Sequence, residues 1–382
     1  MIRLIVLFLA LALAAASSLP AAKRHLTVNT ETPEGVKLKA LTDEADPAKK
    51  LALMEQFVNE HPKHDSATWV LGEMQAMYLK NGEFDKAIAA GETVLTDDAD
   101  DLGVAYNGLK AAEGKKDAAL VKKWAVATSA AAKRAIAAPK PADADETAAW
   151  TAAVEYAKQN DAYSEYALYV AALQATSAAT RIELGETLEK QNSASQYAGM
   201  LRPSLTNAYQ QTGNHAKALE TAELVLQTDP ANDDMLLYAA SKYYEAKNPA
   251  KWTPYAKKLA ETLPAKTAPQ GAVEAVWNQN KSLKLGLANW MLGVAASNEQ
   301  RWMDAETYLR AALPNVQTDK ALTAETLFHL ALTTYRLGDP KKDRKRIDEA
   351  LRLNTQCAAI VSPFQAPARK NIAAIKTAYR IP

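Results

Sequence analysis

Two parts of this chain repeat one another at a fixed spacing, and this duplication limits the folds that the sequence can adopt. Residues 48–98 match residues 179–229 at a constant offset of 131 without a gap. The matched pairs include Glu55 and Glu186, Tyr78 and Tyr209, Gly82 and Gly213, Lys86 and Lys217, Ala87 and Ala218, and Asp98 and Asp229. A match over several segments indicates an internal duplication, and a chain of repeats grows by stacking units instead of enlarging one core.

The later copy has the pattern of two short helices joined by a tight turn. Apolar and small residues recur at helical spacing over Leu201–Tyr209 and again over Ala218–Leu226, and Gly213-Asn214 separates the two runs. Pro230 follows the second run, and proline cannot continue a helix. The earlier copy, residues 68–101, carries the same two runs around a glycine turn of its own. We therefore expect antiparallel helix pairs.

The pair that begins at Gly199 resembles the tetratricopeptide repeat (TPR), a helix–turn–helix unit of about 34 residues. Its signature positions are occupied by Leu205, Tyr209, Ala218 and Pro230, whereas Thr206 and Arg202 depart from the pattern. More diverged units begin at Asp233, Gly286 and Ala324. The resemblance covers about residues 46–357 and implies an all-α fold, an α-solenoid (right-handed superhelix) of antiparallel TPR-like helix pairs.

The match to the repeat is poorest over residues 100–174, where we still predict two helix pairs, 101–113 with 117–137 and 144–159 with 162–175. The domain organisation that we predict has four parts. They are a signal peptide (1–22), N-terminal TPR-like helical repeats (36–195), C-terminal TPR repeats (196–357), and a C-terminal loop with a capping helix (358–382). The capping helix is expected over Pro367–Tyr379, after a loop from Cys357 to Ala366.

The first residues have the pattern of a secretory signal. Arg3 precedes an apolar run, Leu4–Ala16, and small residues follow where cleavage would occur. The run is shorter than the roughly 20 residues that span a bilayer, so we expect no stable membrane insertion after cleavage. The protein is therefore predicted to be exported and to be periplasmic or extracellular, in a bacterial cell envelope.

Charge composition argues against nucleic acid as a partner. The chain has 45 Lys+Arg and 44 Asp+Glu, and removal of Arg3 with the signal leaves 44 of each. Binding to nucleic acid needs a concentrated basic footprint, which a neutral chain does not suggest. Cys357 is the single cysteine, so an intramolecular disulfide cannot form and packing alone must hold the fold together.

The sequence contains no recognised catalytic or cofactor motif. GxSxG, HExxH, phosphate-loop and dinucleotide patterns are all absent, and we predict no cofactor, no metal site and no enzyme activity. His61 and His64 could share a metal, but they fall in a predicted loop without a third ligand. His215 occupies the position of Phe84 in the duplicate and is expected to pack. His329 lies on a predicted helix with no evident orienting acid.

In TPR proteins, the first helices of successive units line a concave groove that holds a peptide or a partner helix. Carrying these positions over gives Trp69, Lys80, Asn207, Gln210, Gln211, Tyr244, Glu245, Trp290, Asn298, Phe328, Tyr335 and Arg336 as the candidate partner-binding groove. Pro203 stands where some family members have a clamp lysine, so we do not expect capture of a C-terminal carboxylate.

The resemblance implies a non-catalytic protein–protein interaction scaffold of the cell envelope, with a peptide or protein of unknown identity as partner. Two alternatives remain open at this stage. One is a small-ligand binding protein, for a glycan or peptide fragment, in envelope assembly or uptake. The other is an enzyme whose site is assembled across repeats.

Overall fold

The structure of the protein, a computed structural model, describes Leu26 and residues 28–381. Within these residues the chain forms seventeen α-helices and no β-strand. None of the described helices is both long enough and apolar enough to cross a membrane. The predicted signal peptide, residues 1–22, lies outside the described residues.

The helices follow one another with short connections. They are α1 (Pro33–Asp43), α2 (Pro47–Glu60), α3 (Ala67–Asn81), α4 (Phe84–Asp97), α5 (Leu102–Lys115), α6 (Ala118–Ala137), α7 (Ala144–Gln174), α8 (Ala178–Gln191), α9 (Gln196–Gln211), α10 (His215–Thr228), α11 (Asp233–Glu245), α12 (Pro249–Thr262), α13 (Glu274–Asn298), α14 (Trp302–Ala312), α15 (Lys320–Gly338), α16 (Arg344–Ala358) and α17 (Gln365–Tyr379).

Local sequence explains where these helices start and stop. The side chains of Asp46, Asp117 and Asn232 accept hydrogen bonds from backbone N–H groups of the first turn, which have no partner within the helix itself. At the two duplicated turns Gly82 and Gly213 both have a φ of 77°, a left-handed conformation that glycine adopts without a steric penalty. Both copies therefore turn at a left-handed glycine, although α9 ends at Gln211, one repeat position earlier than α3, which ends at Asn81.

The described part of the chain divides into two compact units that meet between Thr212 and Gly213, and we call them unit 1 and unit 2 in chain order. In unit 1, helices pack in chain order as the pairs α1–α2, α3–α4, α5–α6 and α7–α8, followed by α9. In unit 2, α10 precedes the pairs α11–α12, α13–α14 and α15–α16, and α17 packs against α16 at the end. Each unit is thus an all-α solenoid built from helix pairs in series.

Contacts between alternate helices complete this architecture. In unit 1, α3 contacts α5, α5 contacts α7 and α7 contacts α9; in unit 2, α11 contacts α13 and α13 contacts α15. The first helices of successive pairs therefore lie side by side in each unit. Small residues permit close approach between helices, since a side chain at Gly185 or Gly293 would meet a buried leucine at 2.5 Å.

Three sequence predictions need correction. Residues 144–174 form one helix of 31 residues, α7, and not two helices broken near residue 160. The predicted break contains neither glycine nor proline, and its polar side chains are satisfied within helical packing. Asn160 donates to the Tyr156 carbonyl at 2.8 Å, and Asp161 accepts from Ser129 of α6 at 2.5 Å.

The other two corrections concern single segments. His215 is exposed and does not pack, whereas Phe84, its counterpart at the first position of α4, is half-buried. The loop predicted over Cys357–Ala366 is shorter than expected: α16 continues to Ala358 and α17 begins at Gln365. The predicted capping helix itself is present.

Candidate functional site

The duplicated tyrosines hold adjacent helix pairs together. The Tyr78 hydroxyl of α3 donates to Glu55 of α2 at 2.6 Å, and the Tyr209 hydroxyl of α9 donates to Glu186 of α8 at 2.8 Å. Burial, reinforced by the bond to Glu55, raises the pKa of Tyr78. Both copies therefore use the same hydrogen bond between a first helix and the preceding second helix, and in both copies these residues have a structural role.

The groove residues predicted in unit 1 lie on its outer first helices. Trp69 of α3 and Gln210 of α9 are half-buried, and Lys80, Asn207 and Gln211 are at least partly exposed. Because α5 and α7 lie between α3 and α9 in the row of first helices, these predicted residues are not brought together. The surface between them is formed by other side chains.

Five tyrosines fill this interval, and we call them the tyrosine row: Tyr106 of α5, Tyr163, Tyr166 and Tyr169 of α7, and Tyr197 of α9. The ring centroids of Tyr106 and Tyr163 are 5.5 Å apart, and those of Tyr163 and Tyr166 are 6.0 Å apart. Tyr197 lies 5.6 Å from both Tyr166 and Tyr169. An unbroken series of ring contacts therefore crosses three first helices.

The row is accessible to a partner. Tyr166 at its centre is 42% exposed, and the other four side chains are at least partly buried without being closed off from solvent. Tyrosine presents a large, rigid surface that combines an apolar ring with a polar hydroxyl, which is why it is enriched where proteins bind one another. The row has the composition of a contact surface.

A charged pair fixes Tyr163 within the tyrosine row. Lys110 of α5 donates to the Tyr163 hydroxyl at 2.6 Å and to Glu113 at 2.7 Å, and the same hydroxyl donates to Glu113 at 2.8 Å. Burial opposes the charge on Lys110, but the bonds to Glu113 and Tyr163 outweigh it and raise the pKa of Lys110. These contacts hold the Tyr163 ring in place, so part of the surface is preorganised.

Sequence analysis missed this row for a specific reason. Tyr163, Tyr166 and Tyr169 are spaced three residues apart, and side chains three apart share one face of a helix. All three lie within the predicted helix 162–175, but the sequence does not show that Tyr106 of α5 and Tyr197 of α9 will lie beside them. The spacing itself was the signal that could have identified the row.

In unit 2 the structure brings three of the predicted groove residues into one apolar cluster: Tyr244 of α11, Trp290 of α13 and Phe328 of α15. The ring centroids of Tyr244 and Trp290 are 4.8 Å apart, and Tyr244 also meets Trp252 of α12 edge-on at 5.4 Å. Phe328 packs on Phe364 with centroids 5.2 Å apart. Adjacent first helices of this unit thus share an aromatic face.

The remaining predicted residues of unit 2 do not join that cluster. Glu245, Asn298 and Arg336 lie outside it and are open to solvent. The Tyr335 hydroxyl donates to Asp339 at 3.0 Å, and Tyr379 of the capping helix donates to the same carboxylate oxygen at 2.7 Å. Tyr335 and Tyr379 of α17 therefore share one acceptor, and this contact helps to hold α17 in place.

A carboxyl group absent from the sequence predictions lies beside the aromatic face. Glu325 of α15 is half-buried, and burial raises its pKa, an effect that the nearby Trp290 indole opposes. The Trp290 N–H is buried and reaches no hydrogen-bond partner in good geometry, Glu325 included. Burial together with the Glu325 charge raises the pKa of Tyr244. One acid from α15 thus faces rings from α11 and α13.

His329 and Cys357, two residues with nucleophilic or metal-binding chemistry, are engaged in packing. His329 is 8% exposed, its Nδ1 lies 3.0 Å from the Ser297 hydroxyl, and burial lowers its pKa to about 4. The Cys357 thiol donates to the Ala324 carbonyl at 3.3 Å, and burial raises its pKa to about 11. A buried pair and a buried thiol of this kind are not presented to a substrate.

His61 and His64 lie in a short loop, as predicted, and both pack on the Phe57 ring at 5.2 and 5.4 Å. His64 Nδ1 accepts a hydrogen bond from the Ser66 backbone at 3.0 Å. Over the described part of the chain, no group of three or more His, Cys, Asp or Glu side chains is arranged to hold a metal ion.

No family model matches the chain, and no curated protein matches it at a significant level. Among solved structures it is similar to the TPR domain of P58(IPK), with 12% identity over 91% of this chain and 99% of that one and a TM-score of 0.26. It is also similar to yeast Tom70, with 12% identity, a TM-score of 0.30, and coverage of 95% of this chain and 68% of Tom70.

These scores are too low for a whole-chain superposition to carry weight, so the class must rest on the helix pairs themselves. Those pairs, the two glycine turns and the repeated tyrosine–glutamate tie define a TPR-like repeat protein.

Proposed function

We propose that this chain is a non-catalytic protein-interaction scaffold that holds an extended segment of a partner protein against its first helices. The tyrosine row is the observation that carries the proposal. It gives three adjacent helices a continuous and partly exposed aromatic surface, and such rings bind side chains by stacking while their hydroxyls bond to peptide groups. The aromatic face of Tyr244, Trp290 and Phe328 offers a second surface of the same kind in unit 2.

Site-specific photo-crosslinking tests this proposal. A benzophenone amino acid replaces Tyr166 or Tyr244 on the first helices, and the controls carry it at Val126 of α6 or Met303 of α14. The two control positions are exposed apolar side chains on second helices. We expect both test positions to crosslink one and the same partner in cells, and the controls not to. Equal crosslinking from the controls, or different proteins from the two test positions, would contradict the scaffold function.

Binding measurements then examine the segment that the crosslink identifies. As a synthetic peptide it should bind the full chain, and Tyr166→Ala should weaken binding at least about tenfold, as expected when an interface aromatic worth about 1.4 kcal/mol or more is truncated. Val126→Ala is the matched control and should leave the affinity unchanged. A peptide that binds both variants equally well would show that the row is not the binding surface.

We also propose that the chain acts in the bacterial cell envelope, after export directed by residues 1–22. The support is the charge and apolar pattern of that segment alone. Mass spectrometry of the protein purified from its native compartment should find an N-terminus within or directly after this segment. An intact N-terminus on cytoplasmic protein would contradict export.

A further inference from the structure

Glu325 is a half-buried acid of unit 2 that forms no ion pair with a lysine or arginine of the described residues. Asp233 is paired with Lys266 at 2.6 Å, and Glu306 is paired with Arg346 at 2.9 Å and with Arg310. Among the described residues, only burial and the Trp290 indole act on Glu325, and no lysine or arginine pairs with it. Burying a carboxylate without a cation costs free energy, so a positive group that bound beside Glu325 would lower that cost.

The surroundings of Glu325 are those that a cation prefers. Trp290 is only 9% exposed and places its ring against Tyr244, with centroids 4.8 Å apart. Aromatic faces attract cations, tryptophan most strongly, and the attraction grows when water is excluded. A carboxylate next to two electron-rich rings therefore combines two attractions for one positive group. Phe328, three residues beyond Glu325 on α15, extends the apolar wall.

We propose that Glu325, Trp290 and Tyr244 form a receptor for an arginine side chain carried by the partner segment, an inference that rests on the scaffold function proposed above. Guanidinium is planar, stacks on aromatic rings and can give a carboxylate two parallel hydrogen bonds. Arginine would neutralise the acid that the fold leaves unpaired while its flat group lies on the rings. Lysine can supply the charge but neither the stacking nor the paired bonds, so it is expected to bind more weakly.

If the receptor is present, the two units contribute to binding in different ways. The tyrosine row has no uncompensated charge at Tyr163, because Lys110 and Glu113 neutralise one another there. It would therefore hold a segment without selecting its charge. The Glu325 receptor would select one residue type at one position, so specificity is expected to reside in unit 2.

A random-peptide library displayed on phage and selected against the full chain tests the receptor while the partner is still unidentified. We expect arginine to be enriched at one position of the selected peptides. In a selected peptide, replacement of that arginine by citrulline, which has nearly the same shape and no charge, should lower the affinity about tenfold or more. This change leaves the protein untouched, so misfolding cannot explain the loss.

Variants of the protein complete the test. Glu325→Gln should lower affinity for the arginine peptide by a similar factor and have no further effect on the citrulline peptide. Glu261→Gln, at an exposed acid of α12, is the matched control and should change neither affinity. Peptides that need Tyr244 but tolerate citrulline and Glu325→Gln would overturn the arginine receptor and leave the scaffold standing. Peptides that are indifferent to both Tyr166→Ala and Tyr244→Ala would overturn the scaffold and the receptor together.

Discussion

Gly108 should be one of the positions at which the fold is most sensitive to a single added carbon. It lies on α5 against the indole of Trp124 on α6, which is 1% exposed. A Cβ at residue 108 would overlap the six-membered ring of Trp124. The ring cannot move freely, because its far end already faces Gly91 of α4, where a Cβ would lie only 3.0 Å from Cη2.

The expected cost follows from two opposing effects. Alanine is a better helix former than glycine by about 1 kcal/mol, which stabilises any helical position that has room for a methyl group. Overpacking a rigid, buried ring typically costs about 1–3 kcal/mol and can cost more. The added Cβ would lie only 2.1 Å from the Trp124 ring, so the cost should fall at the upper end of that range, and Gly108→Ala should lower the free energy of unfolding of unit 1 by roughly 2 kcal/mol.

Gly199→Ala is the matched control for this prediction. Gly199 also lies in a helix, α9, but it is exposed and no atom would lie within 4 Å of an added Cβ. The same substitution should here stabilise by about 0.5–1 kcal/mol. The two variants are thus predicted to have effects of opposite sign from identical chemistry.

Urea denaturation followed by far-UV circular dichroism measures the sign of each effect. Arrays of repeats can unfold in stages, so hydrogen exchange of the individual helices should accompany it. Gly108→Ala should shift the midpoint to lower urea and speed exchange in α5 and α6. If it proved as stabilising as Gly199→Ala, the contact between α5 and the Trp124 ring would be wrong, and with it the packing of this helix pair.

Three further predictions concern stability. Tyr78→Phe and Tyr209→Phe should each cost about 1 kcal/mol in urea denaturation, and unequal losses would show that the two ties are not equivalent. Ala218 is completely buried, so Ala218→Trp should lower the melting temperature sharply while Val126→Trp, at an exposed site, should not. The folded-state pKa of His329, about 4, lies below its ordinary value of 6.5, so the unfolded chain binds the proton first. Stability from this group should be complete above pH 6.5 and should fall by about 3 kcal/mol as the pH drops towards 4, a loss that His329→Gln should abolish in pH-dependent denaturation.

Much of the helical framework could be predicted from the sequence because its determinants are local. The helices predicted over 101–113 and 117–137 are present as α5, Leu102–Lys115, and α6, Ala118–Ala137. Capping side chains, glycine turns and helix-ending prolines act within a few residues, so a single sequence displays them. The continuity of α7 was not predictable in this way, because a hydrogen bond from Ser129 of α6 satisfies Asp161, at the point where the local pattern indicates a break.

The candidate sites were harder to predict because they depend on which helices become neighbours. The tyrosine row joins residues of three helices, and Tyr106 and Tyr163 are far apart in sequence. Glu325 was missed for a related reason. Nothing in its local sequence shows that no cation will lie beside it, since that depends on α11 and α13 as well as α15. The sequence did predict that Tyr244, Trp290 and Phe328 lie on first helices facing the same way, because the position of a residue within a repeat predicts its face of the helix.

The tyrosines of this chain fall into two groups, one that stabilises the fold and one that is proposed to bind the partner. In Tyr78 and Tyr209 the rings are buried and the hydroxyls are bound to glutamates of the preceding helix, so these side chains are committed to the fold. In the tyrosine row the rings contact one another and Tyr166 remains largely open to solvent. Loss of a buried tie must weaken folding whether or not a partner is present. Loss of the Tyr166 ring removes little internal packing, so it should weaken binding with little change in stability. A scaffold of helix pairs can therefore vary its exposed rings to suit a partner while the buried ties keep the pairs in register.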